Sequence, residues 1–184
     1  ELGAVAAGIG HLNAIPDIDG AVRTEPLFMQ FYDKLVPSLS LLLAAKSLNL
    51  QNSDIQAKLG EEARIGKLHI ATDRQSRMNT FFYSDRDGAP AFPVDSFFDV
   101  YKGKVPAGKY QDKIVLIGPT AAGLGTAQVN PISPATSPVV TMAHAVSSIL
   151  REHFFVVRSW GPAMEKLVFL LVPAYLIVLL PRLK

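Results

Sequence analysis

The 184-residue sequence contains no cysteine. Disulfide bonds, cysteine-ligated zinc, iron–sulfur clusters and thiol nucleophiles are therefore excluded for this segment. The absence also fits a compartment in which free thiols are a liability, such as the bacterial periplasm.

Charged residues are scarce, at 18% of the sequence, whereas apolar residues make up 49%. Disordered chains have few apolar residues and many charges, so the opposite balance in this sequence predicts a folded core. The formal net charge is only +2, and Lys and Arg are scattered among Asp and Glu rather than gathered in a stripe. Nucleic acid is therefore not an expected partner. The length suits one domain, or at most one and a half.

The first residues lack the basic region and the cleavage pattern of a secretory signal peptide. They lead directly into apolar chain, as an internal piece of a longer protein would. Near the other end, residues 167–180 carry no charge. A membrane span needs ~20 apolar residues, so this run is short unless residues 160–164 extend it. Two interpretations stay open, a helix buried in a soluble core or a membrane helix with Arg182 and Lys184 on the cytoplasmic side.

Several stretches match the start of a known binding motif but lack the residues that complete it. Residues 118–123 have the G-x4-G spacing of a phosphate loop, but the Lys and Ser/Thr that hold phosphate and Mg²⁺ do not follow. Residues 8–13 start like a dinucleotide-binding G-x-G-x-x-G and lack its third glycine. Two Asp-x-Asp-Gly stretches, 17–20 and 85–88, lack the Glu of a calcium loop and predict turns instead. With no G-x-S-x-G elbow either, we predict no catalytic residue, no metal site and no cofactor.

The apolar pattern predicts strands alternating with helices, which is typical of the α/β class, here with a mixed sheet, flanking helices and a tendency to three layers. The predicted strands are 3–15 and 21–29, which would form a hairpin, and then 65–71, 78–84 and 113–118. The last of these is the clearest, because four consecutive apolar residues suit an interior strand covered on both faces. The predicted helices run from about Val36 to near Asn49, from 96 to 101 and from 139 to 152, whereas 50–64 predicts a loop or surface helix.

A long loop rich in Gly, Pro, Ser and Thr, residues 119–138, follows the strand predicted at 113–118. Sheets of the α/β class bind ligands at the carboxyl ends of strands, and long loops are often functional. On the last helix of the domain, His144, Ser148 and Arg151 share the face opposite the apolar one. That face either contacts an anion or is a solvated helix surface. We predict a ligand site made of Thr120, Ala121, Gly123, His144 and Arg151.

Several stretches, taken in order, resemble one family. They are 8–13 (Gly-Ile-Gly-His-Leu-Asn), 16–23 (Pro-Asp-Ile-Asp-Gly-Ala-Val-Arg), 37–39 (Pro-Ser-Leu), 92–93 (Phe-Pro), 99–103 (Asp-Val-Tyr-Lys-Gly), 113–124 (Lys-Ile-Val-Leu-Ile-Gly-Pro-Thr-Ala-Ala-Gly-Leu) and 144–145 (His-Ala). Their order and spacing are similar to those of the CHASE2 domain, an extracytoplasmic sensor module of bacterial membrane receptors, over residues 5–158. Where the family often carries an Asp after Gly-Leu, this chain has Gly125-Thr126, so no role of that carboxylate is carried over.

The resemblance implies an α/β domain that faces the periplasm or the extracellular side of the inner membrane. Membrane helices would follow it and lead to a histidine kinase, a Ser/Thr kinase or a nucleotide cyclase. It also implies that an N-terminal part of the family domain precedes this segment. We accordingly divide the chain into a sensor domain, residues 1–158, and a juxtamembrane segment with the start of a membrane helix, residues 159–184.

The partners expected from this resemblance are a small molecule or environmental stimulus of unknown identity, the membrane through the C-terminal helix, and a second copy of the chain in a homodimer. The segment itself is expected to be non-catalytic. Two alternatives stay open, a membrane-anchored α/β hydrolase that uses Ser, His and Asp, and a module that dimerises without any ligand.

Overall fold

The computed structural model describes residues 5–121, 124–156, 160–179 and 182. Within these ranges the helices are α1 (Leu39–Ser47), α2 (Phe97–Tyr101), α3 (Pro138–Arg151) and α4 (Gly161–Leu179). The strands are β1 (Thr24–Pro26), β2 (Phe28–Phe31), β3 (Lys34–Pro37), β4 (Ile55–Lys58), β5 (Glu62–Ile65), β6 (Leu68–Ala71), β7 (Arg77–Thr80), β8 (Gln128–Asn130), β9 (Ser133–Thr136) and β10 (Phe154–Phe155). Two short 3-10 turns lie at Asn52–Asp54 and Ala107–Tyr110.

The described strands form several small sheets rather than one large one. Strands β1, β7 and β10 form a sheet with β7 in the middle, β4–β5–β6 form a meander, and β2–β3 and β8–β9 are hairpins. These strand pairs are antiparallel, whereas isolated bridges join His11 to Ser38 and Ala21 to Val129 in parallel. The predicted α/β class with mixed strand pairing is therefore confirmed.

The hydrophobic core lies where α1 and α3 pack against each other beside the sheets. Alanines on both helices are fully buried, which allows a close approach of the two helix backbones. The buried core side chains are Leu27, Phe28, Leu41, Ala44, Ala45, Ala63, Ile65, Ile70, Met78, Ala145 and Ile149.

Helix α1 begins where the sequence supplies a cap. The hydroxyl of Ser38 accepts a hydrogen bond from the Leu41 N–H at 3.2 Å, which satisfies one of the free donors of the first turn. The helix is buried on most sides and ends at Ser47, and Asn49 follows with a φ of 58°. The predicted buried helix and its end near Asn49 are confirmed.

The strand predicted over residues 3–15 is wrong for the part that the structure describes. Residues 5–15 are irregular and mostly exposed, and they meet α1 through the bridge from His11 to Ser38. A Cβ on Gly10 would lie 2.6 Å from the backbone nitrogen of Leu39, so the backbone there packs directly against the start of α1. Because this segment has no ladder of its own, β2 pairs with β3 and the predicted hairpin does not form.

The strand predicted over residues 113–118 is also wrong. These residues have no regular structure, and the side chains of Ile114, Val115 and Ile117 are 40, 51 and 78% exposed. An apolar run becomes a strand only where another strand supplies hydrogen bonds and cover, and none of the described strands pairs with it.

Other local predictions are confirmed or corrected in detail. The turns at 17–20 and 85–88 form, with Gly20 and Gly88 at positive φ. Helices α2 and α3 lie at the predicted positions, and β6 and most of β7 fall within the predicted strands. The stretch 50–64 contains β4 and most of β5 rather than a surface helix, and 119–138 contains the β8–β9 hairpin rather than one continuous loop.

Helix α4 lies outside the hydrophobic core. Every side chain from residue 163 to residue 178 is exposed, including Phe169 at 76% and Ile177 at 73%. The interpretation of this run as a helix buried in a soluble core is therefore wrong. Of the helices that the structure describes, none is both long and apolar enough to span a membrane.

Candidate functional site

The predicted site residues fall into two groups. Thr120 and Ala121 are exposed on the segment before the β8–β9 hairpin, whereas His144 and Arg151 lie on α3. Among the described residues, no hydrogen bond or ring contact joins the first pair to the second. Gly123 lies outside the described residues, so a ligand site that includes this loop stays a prediction.

The polar face of α3 points inward at two of its three positions. His144 is 2% exposed and Ser148 is fully buried, whereas Arg151 is exposed. The interpretation of this face as a solvated helix surface is therefore wrong for His144 and Ser148. Buried polar side chains need hydrogen-bond partners, and the backbone that follows β7 supplies them.

His144 and Ser148 hold residues 81–83 against α3, and we call this arrangement the α3 clamp. The Phe81 N–H donates to the Ser148 hydroxyl at 3.0 Å, and the Tyr83 N–H donates to Nδ1 of His144 at 3.1 Å. The Ser148 hydroxyl also lies 3.1 Å from the Phe81 carbonyl and 2.8 Å from the His144 carbonyl, either of which accepts its proton.

The clamp begins where β-pairing ends. Strand β10 pairs with β7 at Asn79 and Thr80, and the chain then continues without regular secondary structure along α3. Side chains of α3 thus satisfy backbone groups that would otherwise need a neighbouring strand. Because β10 directly follows α3, the helix and its C-terminal extension both hold the same stretch of chain.

The imidazole of His144 is neutral in the folded protein near pH 7. Burial lowers the pKa of His144 to about 4, and the nearby charge of Asp85 offsets this only in part. Because Nδ1 accepts the hydrogen bond from Tyr83, the proton of the neutral ring is on Nε2. A protonated ring would lose that acceptor, so the clamp depends on the neutral form.

Aromatic rings surround the clamp and extend it toward the surface. The Tyr83 ring stacks on His144 with centroids 6.0 Å apart, and the Phe92 ring meets His144 edge-on at 4.8 Å. The guanidinium of Arg151 lies 5.6 Å from the centre of the Tyr83 ring, and the Tyr83 hydroxyl lies 3.3 Å from Nδ1 of His153. Burial raises the pKa of Tyr83, while Arg151 opposes that shift. The cluster thus joins the chain after β7 to α3 and to the start of β10.

Sequence reasoning found His144, Ser148 and Arg151 and missed Tyr83, Phe92 and His153. The signal for Tyr83 was present, because Phe81-Phe82-Tyr83 is an aromatic run at the end of a predicted strand. Nothing in the sequence places this run against α3, because the contact joins residues more than 60 positions apart.

The geometry does not supply the nucleophile that a Ser-His hydrolase needs. Ser148 and His144 both bind backbone groups, and no serine hydroxyl in the described part of the chain is hydrogen-bonded to a histidine ring. Nucleophilic catalysis of this kind requires such a contact between nucleophile and base.

Comparison with known families gives one match. A model of the CHASE2 domain matches residues 3–179. Neither the curated proteins nor the solved structures contain a match to this chain.

Replacing Ser148 with alanine should remove the contact of the α3 clamp with the Phe81 backbone. The buried Phe81 N–H would lose its acceptor, and we expect a loss of about 1–3 kcal/mol in the free energy of unfolding. Ser147→Ala on the same helix is the matched control, because Ser147 is only partly buried and its side chain makes no hydrogen bond to the described residues. Urea unfolding of both variants measures the difference, and equal stabilities would contradict the clamp.

Replacing His144 with asparagine should remove a loss of stability in acid. The folded pKa of His144 lies below its unfolded value of 6.5, so the unfolded chain binds a proton first and stability declines as the pH falls from about 6.5 towards 4. Asparagine keeps an acceptor near Nδ1 and does not titrate. We expect the stability advantage of the wild type over His144→Asn to shrink as the pH falls from 7.5 to 5.

His153→Asn is the control for this measurement, because His153 is exposed. The change that His144→Asn shows beyond the change in this control is the contribution of the buried ring. Parallel pH profiles for the wild type and His144→Asn would show that His144 does not titrate as a buried group.

Proposed function

Because the chain belongs to the CHASE2 domain family, we propose that it is the extracytoplasmic sensor domain of a bacterial membrane receptor. CHASE2 is a family of extracellular sensory domains of receptors. We further propose that the domain belongs to a polypeptide with a cytoplasmic output domain, which is a histidine kinase, a Ser/Thr kinase or a nucleotide cyclase. It is expected to act as a homodimer.

The α3 clamp is the observation that carries this proposal. A stimulus that moves residues 81–83 acts on α3 directly, because His144 and Ser148 bind that backbone. Helix α3 continues through Glu152 into β10, and the chain then leads to α4. Binding on one side of the clamp is thus connected to the C-terminal end of the domain by few residues.

We propose that α4 attaches the domain to the membrane. Its exposed apolar side chains would be costly in water, and continuous exposed apolar surface of this kind marks a membrane or protein contact. Glu165 and Lys166 lie near its start, and the rest of the helix up to Leu179 has no charged residue. This distribution favours a polar end at the domain and an apolar end in lipid.

The stimulus would act at the aromatic cluster or on the loop between residues 118 and 138. At the surface the cluster presents the guanidinium of Arg151, the imidazole of His153 and the ring of Tyr83, which suit a small molecule with an anionic and a flat apolar part. Switching between two arrangements needs only a few kcal/mol of differential affinity. Loss or gain of the clamp contacts is of that order.

Labelling of an introduced cysteine tests the location of the domain. Gly108 is exposed, and a Cβ there would have no neighbour within 4 Å, so Gly108→Cys should fold normally. Since the natural chain has no cysteine, this thiol is unique in the domain. We expect a membrane-impermeant maleimide to label it in intact cells that carry the full receptor and a permeabilised outer membrane. Buried Ser40→Cys is the control for unfolding, and labelling of Gly108→Cys only after lysis would overturn the proposal.

A reversible disulfide tests transmission through β10. Asn79 and Phe155 are opposite each other in the antiparallel β7–β10 pair. Cα atoms of facing residues in such pairs generally lie ~4.5–5.5 Å apart, which is within the range of a disulfide. Oxidation of the double cysteine variant should fix β10 on β7 and change the basal output of the full receptor by about fivefold or more, which a reductant then reverses. Each single cysteine variant is the control. An output that does not respond to oxidation of the double variant would remove β10 from the pathway.

A further inference from the structure

A half-buried glutamate lies apart from the α3 clamp. Glu25 on β1 points into the region at the start of α1, where its Oε1 accepts a hydrogen bond from the Ser40 hydroxyl. The Ser40 oxygen lies 2.9 Å from that of Ser38, the residue that caps α1. Both serines are buried, at 1 and 0% exposure. The carboxyl group thus has hydroxyl partners that are themselves removed from water.

No cation compensates this carboxyl group within the part of the chain that the structure describes. On the N-terminal side of β1, Arg23 is paired with Asp17 and Asp19. On β7, the residue opposite Glu25 is Met78, which is fully buried, and the neighbouring Arg77 is paired with Asp73 at 2.7 Å.

The other elements beside it add no positive charge at neutral pH. Helix α1 has its one lysine, Lys46, in its last turn, at the opposite end from Ser40. His11 lies against Ser38 through backbone hydrogen bonds to Pro37 and Leu39, and burial lowers its pKa. Its two ring nitrogens are buried and have no hydrogen-bond partner among the described residues.

The ionised form of Glu25 is therefore disfavoured in this packing. Burial raises the pKa of Glu25 to about 7, and the hydrogen bonds from Ser40 and Ser38 oppose this shift only in part. The folded protein holds a proton on this group under mildly acidic conditions, in which an exposed glutamate would be ionised. Loss of that proton leaves a buried negative charge that water or a movement of β1 must solvate.

The position of Glu25 connects its charge to the clamp. In the β1–β7 pair, Thr24 lies opposite Asn79 and Glu25 lies opposite Met78, one and two residues before the end of β7. The Thr80 N–H donates to the Arg23 carbonyl at 3.0 Å, which ties the two strands together just before residues 81–83. On the other side, α1 packs directly against α3. A displacement of β1 or of the start of α1 thus reaches both partners of the clamp.

We propose that Glu25 is a proton-binding site, and that the acidity of the extracytoplasmic solution is a stimulus for this domain. With the proton bound, β1 packs closely against the start of α1. When it is lost, the carboxylate draws water or moves outward and loosens the contact of β1 with α1. The sensing role depends on the proposed function, whereas the proton-binding site does not.

Carbon-13 NMR of the glutamate carboxyl groups tests the site, with the full chain held in lipid nanodiscs. We expect one carboxyl signal with a midpoint near pH 7, which disappears in Glu25→Gln and persists in Glu61→Gln. Glu61 is the matched control because it is exposed and pairs with Lys58 on the surface. The amide signal of Tyr83 should shift with the same midpoint in the wild type and should lose that shift in Glu25→Gln.

A wild type in which every glutamate titrates between about pH 4 and 5, as exposed glutamates do, would overturn the proposal. A Tyr83 amide signal that does not shift with the titration of Glu25 would also overturn the proposal. Should Glu25→Gln fail to fold, Ser40→Ala replaces it. Loss of the Ser40 hydroxyl removes a group that stabilises the carboxylate, so the midpoint should move to higher pH. A midpoint unchanged in Ser40→Ala would contradict the assignment.

Stability provides an independent readout with a defined sign. Because the folded pKa of Glu25 is above its unfolded value of 4.5, the unfolded chain loses the proton first, and stability falls as the pH rises from about 4.5 to about 7. Glu25→Gln should therefore gain stability relative to the wild type over this window. The comparison is made in the His144→Asn background, since His144 has the opposite dependence in an overlapping range. A constant difference would refute the site, whereas a clear titration together with cytoplasmic labelling of Gly108→Cys would refute only the sensing role.

Discussion

The structure around α3 depends on one requirement, that backbone groups leaving a sheet must still find hydrogen-bond partners. Strand β7 pairs with β1 at residues 77–79 and with β10 at residues 79–80. The chain then continues without a described neighbouring strand. His144 and Ser148 fulfil the requirement by presenting an acceptor to every second N–H, at Phe81 and Tyr83. The spacing is similar on both sides, because residues four apart on a helix rise by roughly 6.0 Å and alternate residues of an extended chain are about 6.6 Å apart. A helix face can therefore continue the role of a strand for a short distance.

The same requirement explains which parts of the fold can be predicted from the sequence. The Ser38 cap, the turns at Gly20 and Gly88 and the two core helices depend on residues within a few positions of each other, and their patterns are visible locally. The segments 5–15 and 113–118 have strand-like composition, but a strand exists only with a partner, and pairing is a non-local property. The inward orientation of His144 and Ser148 has the same cause. The sequence shows three polar residues on one face of α3 but does not show that the backbone of residues 81–83 lies against two of them.

His144 and Glu25 have pKa values that burial shifts in opposite directions, and they respond to acidity in opposite ways. His144 acts as an acceptor and loses its hydrogen bond when it gains a proton, whereas Glu25 becomes a buried charge when it loses one. Both groups are held by serine or backbone partners instead of by opposite charges. A buried pair with an opposite charge would have fixed the charge state over a wide pH range, because ion pairing favours the charged forms. Because hydroxyl and amide partners carry no charge, the extent of burial determines the charge state, and burial changes when the packing changes.

In the proposed sensor, this arrangement would relate the fold to signalling without a large conformational change. Glu25 lies at the junction of β1 and α1, and the α3 clamp lies at the junction of β7 and α3, so each couples a strand to a helix. The two junctions share the β1–β7 pair and the α1–α3 packing, so we expect a shift at one to act on the other. Well-packed elements of this kind change between discrete arrangements rather than deform continuously. Because α3 ends at Arg151, close before β10, a discrete change at either junction of the proposed sensor would act on the connection that leads to α4.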